Sequence, residues 1–119
     1  MTNYKRGDIV LVLFPDSNLN TAKKRPALIV QADNLQTGLP QVIAAMITSN
    51  MKRANHKSRI TISVNSLEGK QSGLVSDSII ATDNLATIQE KFIDKVLGSL
   101  PSMSEVESAL AHTFGLKSA

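Results

Sequence analysis

The 119-residue chain predicts a mainly β fold, a small barrel or sandwich with one helix at its carboxyl end. Two observations carry that prediction. Five or more short segments rich in β-branched and aliphatic residues follow one another at close spacing, divided by turn residues. Only the carboxyl-terminal stretch combines a capping signature with an apolar stripe of helical period.

Residues 9–14, IVLVLF, form the first strand, closed by the turn residues Pro15-Asp16-Ser17-Asn18. Residues 15–24, PDSNLNTAKK, read as a polar loop, and residues 27–31 as a second strand. Residues 42–48, VIAAMIT, are the third. Residues 60–64, ITISV, alternate apolar with polar and are expected to be half exposed. Residues 78–82, SIIAT, form a fifth strand, with further β pieces at 86–88 and 95–100. Continuous apolar runs call for strands covered on both faces. A helix would cover part of such a sheet and a second subunit the rest. Ser102-Met103-Ser104-Glu105, after Pro101, reads as a capping box for the closing helix. Met103, Val106, Leu110 and Phe114 then share a face, with Ala109 beside them, and Gly115 marks the stop.

The length is that of one domain, residues 1–119. With no Trp and 3% aromatics, aliphatic residues must fill the core, and aromatic platforms for stacking bases are lacking. No Cys is present, which removes disulfides, thiolate nucleophiles and sulfur metal sites, and fits a cytoplasmic setting. The polar start MTNYKRGD is not expected to be a signal peptide, and no apolar run is long enough for a membrane span. Charge is uneven. Residues 1–82 hold ten of the thirteen cations and five of the ten acids, whereas residues 83–119 hold three cations and five acids. A basic body is suited to an anionic partner.

The chain lacks a glycine-rich phosphate loop, a His-Glu-x-x-His motif and a nucleophile elbow. His56 and His112 stand far apart in sequence, His112 on the polar side of the closing helix, and no metal site is expected from them. Three features remain. Arg25 precedes Pro26, which belongs at the first residue of a strand and restrains Arg25 to extended geometry. A guanidinium presented from a rigid strand suits phosphate oxygens. Thr48-Ser49-Asn50 ends the third strand with three hydrogen-bonding side chains. The stretch MKRANHKSR then sets Lys52, Arg53, Lys57 and Arg59 around His56, a group that would meet RNA chiefly by neutralising phosphates. On the residues alone, a solvated strand-start arginine, ordinary turn chemistry and a solvated loop are the default readings of the three.

Their order along the chain is more specific. RGDIVLVLFPD, then KKRPALIVQAD, then VIAAMITSN, then SGLVSDSIIATDNLATI resembles the MazF/PemK-type toxins of bacterial toxin–antitoxin systems over nearly the whole chain. The resemblance implies an SH3-like β-barrel, of the kind shared with CcdB, with a capped C-terminal helix. It implies a homodimer that binds no membrane and is neutralised by a cognate antitoxin. It implies a metal-independent, cofactor-free endoribonuclease, in which the 2′-hydroxyl of single-stranded RNA attacks the adjacent phosphate. The family's catalytic arginine falls on Arg25 and its catalytic threonine on Thr48. Lys23, Lys24, Ser49, Asn50, Lys52, Arg53, Lys57, Arg59, Ser76 and Asp77 are the expected RNA-binding residues. The chain departs from the family pattern in its first loop, which has neither Gly nor His, and at Ser76, where many members carry arginine. A CcdB-like toxin that binds gyrase, or a degenerate module that only binds RNA or antitoxin, is the alternative class.

Overall fold

The computed structural model describes residues 3–117, so Met1 and Thr2 of the polar amino-terminal stretch lie outside them. Six strands, β1 (Asp8–Pro15), β2 (Ala22–Ile29), β3 (Gln41–Thr48), β4 (Arg59–Ile62), β5 (Ser78–Gln89) and β6 (Ile93–Ser99), form one antiparallel sheet in the order β4-β5-β3-β2-β1-β6. Helix α1 (Leu67–Ser72) lies between β4 and β5, and α2 (Ser104–Phe114) closes the fold. Among the described residues β4 and β6 do not pair, so the expected barrel takes the form of a sheet with two free edges.

The apolar runs are explained by burial on both faces. In β1, Val10, Val12 and Phe14 enter one cluster with Ala27, Ile29, Met46 and Ile88. Ile9 enters a second cluster with Leu28, Ile47, Ile80, Val106 and Ala109. The first cluster joins β1 to β5 although two strands separate them, so the sheet curls around it. The second lies under α2. Among the described residues no helix is long and apolar enough to cross a membrane.

Several boundaries differ from expectation. The polar loop after β1 is shorter than residues 15–24, because β2 starts at Ala22 and pairs Lys23 with Phe14, Lys24 with Leu13 and Arg25 with Val12. The partner strand extends the sheet through a stretch whose own composition reads as loop. Pro26 therefore sits within β2, not at its first residue. It is tolerated because β2 pairs with β3 only from Ala27 onward, leaving one side of the strand unpaired at the proline. The pieces at 78–82 and 86–88 are two halves of one strand. The β3–β5 register slips between Ala45↔Leu85 and Met46↔Ala81, which leaves Thr82, Asp83 and Asn84 as a bulge.

Helix α1 was not expected, being six residues long and containing Gly69. Ser66 caps it by accepting from the Gly69 amide at 3.0 Å, and Gly73 ends it at φ 76°. Helix α2 starts at Ser104 without the reciprocal capping box. Its N-cap is Met103, which makes no side-chain cap bond, while Ser102 Oγ accepts from the Ser104 amide at 3.3 Å. The inward stripe runs Val106, Ala109, Leu110 and then Thr113, seven residues after Val106. Thr113 Oγ1 donates to Ser58 Oγ at 2.7 Å, and Phe114 falls outside the stripe, 58% exposed.

Candidate active site and cation surface

The site arises where two strands part. Ala27 and Met46 are the last paired residues of β2 and β3 on this side. Beyond them Pro26 has no amide to offer, and the strands diverge. Carried two residues further, the same register sets Arg25 across from Thr48. A groove of about 400 Å³ opens there. Lys24, Arg25, Thr48, Ser49 and Ser76 line it, over an apolar floor that includes Leu11, Leu74 and Leu97. Gly73 and Val75, from the turn after α1, complete the wall.

Thr48, Arg25 and Lys24 each have a defined partner. Thr48 is buried, and its Oγ1 accepts from the Asn50 amide at 3.1 Å. That bond occupies a lone pair and leaves the hydroxyl proton to be donated. The Arg25 side chain is 28% exposed, with Nη2 3.9 Å from Asp16 Oδ1. Lys24 pairs with Asp94 at 3.2 Å. A hydroxyl donor and a guanidinium on residues that line one groove can hold the oxygens of an anionic phosphate between them.

The other expected residues lie elsewhere. Lys23 is exposed on β2 and does not line the groove. Asn50 Oδ1 accepts from the Lys52 amide and caps a single 3-10 turn at Met51–Arg53, which carries Lys52 and Arg53 outward. Asp77 Oδ1 accepts from the Val64 amide at 2.8 Å, tying β4's end to the start of β5. Lys57 and Arg59 line a separate cavity of about 690 Å³ between β4 and α2. Arg59 is committed to Asp83, with Nη2 to Oδ2 at 2.8 Å and Nε to Oδ1 at 3.3 Å. That hydrogen bonding raises the Arg59 pKa and lowers that of Asp83 against the opposing effect of burial.

The structure brings His56 and His112 together, with ring centroids 6.1 Å apart in an edge-on contact. His56 Nδ1 accepts from the Ser58 amide at 3.0 Å. Among the described residues no group of three or more His, Asp or Glu could hold a metal ion. Residue patterns gave Asp16 only as a turn residue. Its sole signal was its place after Pro15, at the end of the strand that pairs with Arg25.

A family model described as PemK-like, MazF-like toxin of type II toxin–antitoxin system matches residues 5–114. The chain is 30% identical over 107 residues to endoribonuclease MazF6 of Mycobacterium tuberculosis, covering 87% of this chain and 90% of that one. Endoribonuclease MazF2 of Mycobacterium bovis matches to the same extent. Among solved structures, the Mycobacterium tuberculosis toxin MazF-mt6 superposes with a TM-score of 0.71 at 21% identity, over 93% of this chain and 99% of that one. A mycobacterial endoribonuclease in complex with its cognate antitoxin gives 0.72 at 20% identity, over 98% and 99%. The structural likeness establishes the shared fold.

Proposed function

Because the chain belongs to the PemK-like, MazF-like toxin family of type II toxin–antitoxin systems, we propose that it is an endoribonuclease toxin that cuts single-stranded RNA and is neutralised by a cognate antitoxin. The observation that carries this reading is the placement of Arg25 and Thr48 on one groove, at the point where β2 and β3 separate. We read the curled sheet as the family's SH3-like barrel, a single toxin domain that acts in the cytoplasm as a homodimer.

In the proposed reaction the ribose 2′-oxygen attacks the adjacent phosphorus and loses its proton. The bond to the 5′-oxygen breaks and that oxygen gains a proton. The products are a 2′,3′-cyclic phosphate and a 5′-hydroxyl. The nucleophile comes from the substrate, so no metal-activated water is required. Negative charge grows on the non-bridging oxygens, and Arg25, fixed on a strand, stabilises it there. Thr48 donates its remaining proton to one of those oxygens. It is too weak a base to take the 2′-proton. Lys24 and the cations of residues 52–57 hold the strand by its phosphates.

Incubation with a single-stranded oligoribonucleotide in EDTA tests the reading. Wild-type protein should cleave and leave a cyclic phosphate end. Arg25→Ala should cleave roughly a hundredfold or more slowly while remaining folded. Thr48→Ala should lose more rate than RNA affinity. An Arg25→Ala rate within about threefold of wild type, less than one kcal/mol of barrier, would remove Arg25 from the chemistry. Absence of cleavage by the wild type would leave a binding protein.

A further inference from the structure

We propose that Asp16 is the positioning residue for Arg25, and that Thr21 holds the Asp16 carboxylate in place for that task. The proposal rests on the reading of Arg25 as the charge-stabilising group and deepens it.

Asp16 is fixed on every side. Its amide donates to the Thr21 carbonyl at 2.8 Å, and its own carbonyl accepts from the Leu19 amide at 2.9 Å. Asp16 Oδ2 accepts from the Thr21 hydroxyl at 2.6 Å. Asn18 Oδ1 accepts from the Asn20 amide at 2.9 Å and draws the same turn together. This leaves Oδ1 facing Arg25 Nη2 at 3.9 Å, with the Asp16 side chain only 21% exposed. The carboxylate is not part of the groove wall, whereas Arg25 is. Asp16 therefore meets Arg25 without lining the groove itself.

The distance gives the contact its character. At 3.9 Å the attraction is between charges and lies beyond hydrogen-bond length. It restrains a long side chain without consuming the donors that a phosphate needs. An arginine ordered before substrate arrives loses less freedom when charge develops on the phosphate. The same carboxylate also opposes an incoming anion. Asp16 thus favours the rate and works slightly against binding, and these opposed effects separate a positioning role from a structural one.

Asp16→Asn keeps the shape and removes the charge. Single-turnover cleavage should fall roughly ten- to hundredfold. Affinity for a matching 2′-deoxy oligonucleotide, which lacks the nucleophile, should be unchanged or tighter. Combined with Arg25→Ala, the substitution should add no further loss of rate, because Asp16 acts only through that side chain. Thr21→Val, which frees Oδ2 but keeps the charge, should give a smaller loss of the same kind. In nuclear magnetic resonance, the guanidinium signal that vanishes in Arg25→Ala should broaden or shift in Asp16→Asn.

A wild-type rate in Asp16→Asn would overturn the proposal. So would losses that add in the double variant, or parallel losses of rate and affinity. If Arg25→Ala itself cleaves like wild type, the premise fails and the proposal with it. An impaired Arg25→Ala beside an unimpaired Asp16→Asn removes the proposal alone. If Asp16→Asn does not fold, a Thr21→Val variant of wild-type rate and unchanged guanidinium signal overturns it.

Discussion

Arg59 grips Asp83 with two nitrogens, Nη2 at 2.8 Å and Nε at 3.3 Å, and its Nη1 donates to the Arg53 carbonyl at 3.2 Å. A residue expected among the RNA-binding cations is thus a strut between β4 and the bulge of β5. The bulge is what makes this possible, since Asp83 is one of the three residues left over when the register slips.

The strut makes a pH-dependent contribution. Asp83→Asn should destabilise the fold by about 0.5–1 kcal/mol at neutral pH, the range of a well-formed but partly exposed pair. Arg59 lowers the Asp83 pKa in the folded state. The contribution is therefore full above the ordinary carboxylate value of about 3.9 and disappears as pH falls below it through the lowered folded value. Urea unfolding at pH 7 should separate the variant from wild type, and the two curves should converge on acidification. A gap that persists in strong acid would assign the loss to packing.

Salt dependence should sort the cations. Lys52 and Arg53 point outward from an exposed turn that continues directly from Thr48, Ser49 and Asn50. Replacing both with Ala should flatten the slope of log affinity against log salt by about 1.4, at roughly 0.7 per phosphate contact on single-stranded RNA. Arg59→Ala should leave that slope unchanged. A slope that changes with Arg59 and not with Lys52 and Arg53 would move the RNA path to the cavity beside α2.

His56 should not be the base. It does not line the Arg25 groove, and its Nδ1 already accepts the Ser58 amide. His56→Ala should cleave within about threefold of wild type, which corresponds to less than one kcal/mol of barrier. A loss as deep as that of Arg25→Ala would make it a catalytic group.

Gly73 should tolerate no side chain. It ends α1 at φ 76°, and a Cβ there would run into the Leu97 carbonyl. Gly73→Ala combines a left-handed backbone with a backbone clash, so a cost of about 1–3 kcal/mol or more is expected. Because Gly73 walls the groove, cleavage should fall along with thermal stability. Unchanged melting would mean that β6 shifts freely away from α1.

The sequence by itself determined the class of the fold and most of its strands. IVLVLF and VIAAMIT are legible because β-branched and aliphatic residues without helical period have few other uses, and Gly115 marks the end of α2 because a left-handed residue suits glycine. It also singled out Arg25-Pro26 and Thr48, whose order along the chain is a family pattern. Tertiary structure alone decided the rest. Residues 23–25 are basic, and they become strand only because β1 lies beside them. The three-residue slip in β5 leaves no mark in composition, yet it sets Asp83 on Arg59 and Thr82 on Ser58. His56 meets His112, and Asp16 meets Arg25, because pairing and packing close distances that local propensity does not encode. Residue types limit what each segment can become. Which side chains share a groove depends on register, and register is settled by burying both faces of the sheet at once.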